Sequence, residues 1–98
     1  MAKNEVHGAY EHWSMVIIYD PKTGDIAHTH QAVTTRGGAH PDQTTLEKLA
    51  ADHASRAKNT SMDGMAFLHV DPQEFDFGAR YSIDVMSRSL VKAAPRGP

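Results

Sequence analysis

The sequence of 98 residues contains no cysteine, so neither a disulfide nor a thiolate metal site can stabilise this small chain. Its longest apolar run, Met15 to Tyr19, is far shorter than the roughly 20 residues that span a bilayer. Neither sign of charge dominates, since 10 basic and 12 acidic residues give a net charge of −2 with neutral histidines. No basic stripe of the kind that grips nucleic acid is visible. We therefore expect a cytoplasmic protein that binds neither nucleic acid nor a membrane.

Histidine, by contrast, is abundant. The chain has seven histidines, and three of them, His28, His30 and His53, occur where one fold can bring them together. Imidazole titrates near pH 6.5 and is a common metal ligand. A cluster of these side chains would therefore supply the groups for a metal site or a proton-transfer site.

A β-hairpin is the strongest local prediction. Residues 13–19 are short, β-branched and apolar on both faces, which is typical of a central strand. Pro21 then presets a turn, Asp20 can bond the turn backbone, and Gly24 can take the left-handed conformation that closes a four-residue loop. The second strand is expected over residues 25–35.

This loop predicts the strand register. Paired residues then have numbers that sum to 45, so that Ile17 faces His28 and Met15 faces His30. A slip of one residue would move both histidines to different neighbours. With the predicted register, one face of the hairpin is largely apolar and carries Trp13, Met15, Ile17, Tyr19, Ile26, His28, His30 and Ala32.

One amphipathic helix is predicted to follow. Thr44 can cap its N-terminus while Glu47, three residues later, completes a capping box, and the helix should end near Lys58. Its apolar stripe repeats at spacings of 3 and 4 and has His53 near its middle. The stripe comprises Leu46, Leu49, Ala50, His53, Ala54 and Ala57.

The remaining pattern completes a small single α+β domain. Strands are predicted over residues 65–70, 79–85 and 89–92, which gives the order β-β-α-β-β-β, with one helix packed on an antiparallel or mixed sheet of about five strands. We assign this domain to residues 13–92. Residues 1–12 are expected to be loosely ordered, and residues 93–98, which contain two prolines, are expected to form a disordered tail.

Two functions from different classes fit these features. In the first, the helix covers the hairpin face that contains Val16, Ile18, Ala27 and Val33, and the opposite apolar face needs another cover. A second copy of the chain is the favoured cover, with a partner of another kind as the alternative. The protein is then a binding or assembly module that needs no cofactor. Its predicted interface consists of Trp13, Met15, Ile17, Tyr19 and Ile26.

In the second function, the helix covers the Trp13 face and places His53 beside His28 and His30. Three imidazoles without a thiolate suit a divalent transition metal such as zinc, and the protein is then a metal-dependent or acid–base enzyme acting on a small substrate. A structural or solvent-exposed role for these histidines is the alternative, and we favour it over a metal site.

A weaker signal precedes the helix. Arg36, Gly37 and Gly38 lie before a predicted helix N-terminus, where free N–H groups favour an anion. Their spacing is not that of a phosphate-binding loop, and an ordinary flexible connection explains them more simply.

Overall fold

The computed structural model describes residues 10–35 and 37–93. The predicted α+β class and β-β-α-β-β-β order are confirmed, with one short 3-10 helix added between the third and fourth strands. The elements are β1 Tyr10–Tyr19, β2 Ile26–Thr35, α1 Gln43–Lys58, β3 Ala66–Val70, the 3-10 helix Pro72–Glu74, β4 Tyr81–Asp84 and β5 Ser89–Lys92.

The first strand begins earlier than the sequence pattern predicts. Residues 10–12, which that pattern places in a loosely held segment, belong to β1. The rest of that segment, residues 1–9, lies outside the described residues, as do Arg36 and residues 94–98 of the C-terminal tail. No helix in the described part of the chain is long and apolar enough to cross a membrane.

The five strands form two antiparallel sheets rather than one. The larger sheet has the order β2-β1-β3, and within residues 10–35 and 37–93 β4 pairs only with β5. β1 is therefore the central strand, as its apolar sequence predicts, and Val16, Ile17 and Ile18 are completely buried.

The turn between β1 and β2 closes as predicted. The Asp20 N–H donates to the Asp25 carbonyl at 2.9 Å, and the Gly24 N–H donates to the Asp20 carbonyl at 2.8 Å. Gly24 has a φ of 81°, and the Asp20 carboxylate accepts from the Lys22 N–H at 2.8 Å. The predicted hydrogen bond from the turn backbone to Asp20 and the left-handed conformation of Gly24 are thus confirmed.

The predicted register is nevertheless wrong beyond the first pair of the hairpin. Tyr19 pairs with Ile26, but the next pair is Ile18 with His28, because Ala27 is an extra residue in β2. Such a β-bulge sets two residues of one strand against one residue of the other. It shifts the pairs from Ile18–His28 to His12–Thr34 by one residue. His30 consequently pairs with Val16, not with Met15.

The start of the helix also differs from the prediction. Asp42 is the N-cap, not Thr44, and its carboxylate accepts from the Thr45 N–H at 2.8 Å. Aspartate is among the preferred N-cap residues, and here it comes before threonine along the chain. Glu47 is then no longer at the third helical position, so the predicted capping box does not form. The end at Lys58 is confirmed, with Asn59 in the left-handed conformation after it.

The helix covers the side of the large sheet that includes Val16 and Ile18. Leu46, Ala50 and Ala54 are the buried residues of α1, so the middle of its apolar stripe lies at the alanines. Leu49 and His53, which the pattern includes in the stripe, lie at its margin and are exposed. Small side chains at the contact allow the helix to approach the sheet closely.

The opposite side of the sheet is covered by the chain itself, which contradicts the predicted exposed apolar face. Met15, Ile17 and Tyr19 are 1%, 0% and 2% exposed, because Ile83 of β4 packs on them. Ile26 and, from the C-terminal half, Phe75 and Leu90 pack around the same cluster. Trp13, at the end of this face, is only partly buried, and its indole N–H donates to Gln31 at 2.8 Å. The apolar face for which the sequence analysis proposed a second copy of the chain is therefore already covered by residues of the same chain.

Gly24 couples the two sheets. Its carbonyl accepts from the Ile83 N–H at 2.9 Å, and a Cβ atom on Gly24 would lie 2.0 Å from the Ile83 carbonyl oxygen. A side chain at this position is thus opposed both by its backbone conformation and by the β4 backbone.

We predict that Gly24→Ala lowers the free energy of unfolding more than Gly64→Ala does. Gly64 has nearly the same φ, 82°, but no atom of another described residue would lie within 4 Å of a Cβ added there. That variant therefore measures backbone strain alone, about 1–2 kcal/mol. Urea unfolding of both variants gives the difference. Equal losses would show that β4 does not pack against this turn.

Candidate functional site

The six described histidines all lie on the helix side of the large sheet. Because side chains alternate along a strand, the register brings His12, His28, His30 and His69 to the same side as Val16 and Ile18. His53 reaches this side from α1 and His40 from the loop before it. The opposite side, between the sheet and the β4–β5 hairpin, holds the apolar cluster of Met15, Ile17, Tyr19 and Ile83.

Three of these histidines form the cluster that the sequence suggests. The ring centroids are 5.5 Å apart for His28 and His53, 5.7 Å for His30 and His53, and 6.3 Å for His28 and His30. We call this group the three-histidine cluster. It forms even though the helix covers the Val16 side, because the bulge at Ala27 turns both β2 histidines toward the helix. Neither alternative drawn from the sequence combined these two features.

The surroundings of the cluster favour neutral imidazole. Burial, followed by repulsion from His53, His30 and Lys58, lowers the pKa of His28 below its ordinary value of 6.5. Burial and repulsion from His53 also lower the pKa of His30. Neutral imidazole has a free nitrogen lone pair, which is the form that binds a metal ion or accepts a proton.

One buried nitrogen of the cluster has no hydrogen-bond partner among the described residues. His28 Nε2 is buried and makes no hydrogen bond within residues 10–35 and 37–93. As the side chains stand, no group of three or more histidine, aspartate or glutamate residues in these ranges has the geometry to hold a metal ion. The cluster therefore brings three rings together without forming a complete coordination site.

A second polar group lies at the other end of β1. His40 bridges two hydroxyl groups: its Nε2 is 2.7 Å from Ser14 Oγ and its Nδ1 is 2.6 Å from Thr34 Oγ1. The His12 ring lies against it, with centroids 4.8 Å apart. Sequence reasoning offers His40 as a further candidate ligand but does not place it beside Ser14 and Thr34, because the loop that returns it to the sheet has no distinctive motif.

The opposite flank of the helix carries an ion-pair geometry. His69 Nε2 lies 2.7 Å from Glu47 Oε2, and both side chains are partly buried. Glu47, predicted to cap the helix, instead joins α1 to β3. His40 and His69 both line an open cavity of about 430 Å³ near the N-terminus of α1.

The predicted anion site gains no support. Gly38 uses its N–H to donate to the Thr35 carbonyl at 2.9 Å, and both Gly37 and Gly38 are exposed. Gly37, with a φ of 84°, serves the turn that follows β2. Arg36 lies outside the described residues, so its part in an anion site stays a prediction.

We predict that the free energy of unfolding falls as the pH falls from 7 to 5. The pKa of His28 and the pKa of His30 are lower in the folded state than in the unfolded chain. Below about pH 6.5 the unfolded chain therefore binds more protons than the folded chain, which favours unfolding. The carboxylates whose pKa is lowered, Asp42 and Asp76, stay ionised in this range. Denaturant unfolding at several pH values measures the slope.

The double variant His28→Gln/His30→Gln should flatten this slope, whereas His12→Gln, which removes an exposed histidine outside the cluster, should leave it in place. An unchanged slope in the double variant would contradict the assignment.

Known proteins assign no role to these groups. No protein-family model, no curated protein and no solved structure matches the chain. What the side chains do must therefore be inferred from their own geometry.

Proposed function

We propose that the protein binds a divalent transition-metal ion, such as zinc, through His28, His30 and His53. The observation that carries this proposal is the triangle of three imidazole rings with centroids 5.5–6.3 Å apart, drawn from two different elements. A strand pair alone supplies two ligands, and the helix supplies the third.

The donor set fits this class of ion. Three neutral nitrogen ligands with no thiolate suit zinc, copper or nickel better than calcium or magnesium, which prefer oxygen. The unpartnered Nε2 of His28 gains a partner when an ion binds. The lowered pKa of His28 and of His30 means that little proton release is needed near pH 7.

Binding requires a small contraction of the cluster. With Zn–N bonds of about 2.0–2.1 Å in tetrahedral geometry, two coordinating rings have centroids roughly 5 Å apart. The rings now lie somewhat farther apart than that. His53 is exposed and can rotate, while His28 and His30 are held by the sheet. Closure of His53 onto the two strand ligands completes a site with three protein ligands and one open position.

An open fourth position has a chemical consequence. A zinc ion with three protein ligands binds water or a substrate group at the fourth, which is the arrangement of catalytic rather than structural zinc sites. An ion held in this way can therefore serve metal-assisted chemistry as well as a binding role.

We predict that zinc binds the untagged protein with a stoichiometry of one and raises its thermal stability. At a free zinc concentration 100 times the Kd, the stabilisation is about 2.7 kcal/mol. Isothermal titration calorimetry and thermal unfolding measure the two quantities. Stoichiometric zinc binding should be abolished by each of three single variants: His28→Gln, His30→Gln and His53→Gln.

His12→Gln is the matched control, because it removes a histidine while leaving the cluster intact. An unchanged zinc affinity in His53→Gln would exclude the three-ligand site. An equal loss of affinity in His12→Gln and in the three cluster variants would exclude it as well.

A second function, self-association, is favoured by a different observation. In the part of the chain that the structure describes, β2 is an edge strand of ten residues, and it contains no Asp, Glu, Lys, Arg or Pro. Edge strands usually carry such residues, which block pairing with another chain. We propose that two copies pair β2 with β2 about a two-fold axis and form a continuous six-stranded sheet. This dimer uses the sheet edge, not the apolar face that the sequence suggested.

We predict that the protein sediments as a dimer in a concentration-dependent way and that Thr29→Lys/Val33→Lys makes it monomeric. Both side chains are exposed on β2, so two added charges on each copy would face each other across the axis. Met86→Lys is the control, because Met86 is 91% exposed and lies between β4 and β5. A wild-type monomer at all concentrations would exclude this role.

A further inference from the structure

The hydrogen-bonded chain from Ser14 through His40 to Thr34 has the layout of an activated nucleophile. A hydroxyl group lies within hydrogen-bond distance of one imidazole nitrogen, and a third group holds the other nitrogen. This order of nucleophile, base and orienting group is the signature of nucleophilic catalysis by serine. Thr34 is 8% exposed, so the orienting hydroxyl group is fixed within the fold.

The fold explains why the three side chains meet. His12 pairs with Thr34 and Ser14 pairs with Ala32, so Ser14 and Thr34 are diagonal neighbours on the helix side of adjacent strands. The loop after β2 returns His40 over both of them. With its proton on Nδ1, His40 donates to Thr34 and accepts the Ser14 hydroxyl proton on Nε2.

We propose that Ser14 is a nucleophile activated by His40 and that it accepts the acyl group of a small uncharged ester. Ser14 and His40 both line the cavity of about 430 Å³, a size that suits a small molecule. Among the described residues, the ionisable groups lining this cavity are His40, His69 and Asp71, with Glu47 hydrogen-bonded to His69. The two carboxylates disfavour an anionic substrate.

The N-terminus of α1 lies at the same cavity. Pro41 and Gln43 line it, and Gln43 is the first residue of the helix. The partial positive charge of a helix N-terminus stabilises negative charge that develops nearby. The Asp42 carboxylate already offsets part of this charge by accepting from the Thr45 N–H, so the helix N-terminus is assigned no oxyanion site.

The reaction has two steps, acylation of Ser14 and hydrolysis of the acyl-serine. Ser14 Oγ attacks the ester carbonyl carbon, its proton passes to His40 Nε2, and the alcohol leaves with that proton as the C–O bond of the ester breaks. Water then attacks the acyl-serine and gives its proton to His40, which returns it to Ser14 Oγ as the carboxylic acid departs. No cofactor takes part in either step.

The test is covalent labelling of the full chain with a fluorophosphonate, followed by peptide mapping with mass spectrometry. We expect one adduct, on Ser14, formed roughly 100-fold faster than on the exposed Ser87, since base assistance contributes at least that factor. Hydrolysis of p-nitrophenyl acetate is followed in parallel. An adduct on Ser14 shows that the serine is the nucleophile, because hydrolysis by an imidazole group alone would leave Ser14 unlabelled.

Two variants decide the proposal. Ser14→Ala removes only the hydroxyl group and should abolish both the adduct and the enhanced hydrolysis, while His40→Gln should reduce labelling of Ser14 to the rate of Ser87. The Ser87→Ala control should behave as the wild type. Circular dichroism confirms that each variant is folded. Absence of the Ser14 adduct in the wild type, or labelling of Ser14 that does not depend on His40, overturns the proposal.

Discussion

Ala27 is the residue on which the arrangement of this molecule depends. As an extra residue in β2 it shifts the register by one, and a shift of one residue turns every later side chain of the strand to the other face of the sheet. Without it, His28 and His30 would lie among Met15, Ile17 and Ile83 in an apolar core. With it, both histidines lie under the margin of the helix, where His53 meets them.

The bulge also makes the two faces of the large sheet chemically different. One face of the sheet is sealed by the chain's own C-terminal hairpin, which is tied to the first turn through the Gly24 carbonyl and Ile83 N–H. The other face carries the polar side chains around a narrow apolar strip beneath α1. Because Ala50 and Ala54 are small, the helix lies close to this strip, and the histidines on its flanks stay within reach of helical residues.

The two polar groups on this face are separate in structure. The three-histidine cluster joins β2 to α1, whereas His40 joins the loop before α1 to Ser14 and Thr34. Metal binding needs free imidazole nitrogens, and the buried His28 Nε2 has no hydrogen-bond partner among the described residues. His40 has both ring nitrogens in hydrogen bonds, which orient its ring. The chemistry proposed for these histidines therefore differs because their hydrogen bonding differs, although all lie on one surface.

The sequence by itself determined the local structure. The turn from Asp20 to Gly24, the order of the elements and the end of the helix at Lys58 follow from residues close together in the chain, and so does the presence of His28 and His30 on one face of one strand. Only the tertiary structure decided which face that is, because an alanine that forms a bulge has the same local preferences as an alanine that pairs. The cover of the Met15 face, the contact of Glu47 with His69 and the bridge made by His40 also join distant residues. Such contacts depend on which surfaces remain free once the elements have packed, and no local pattern encodes that choice.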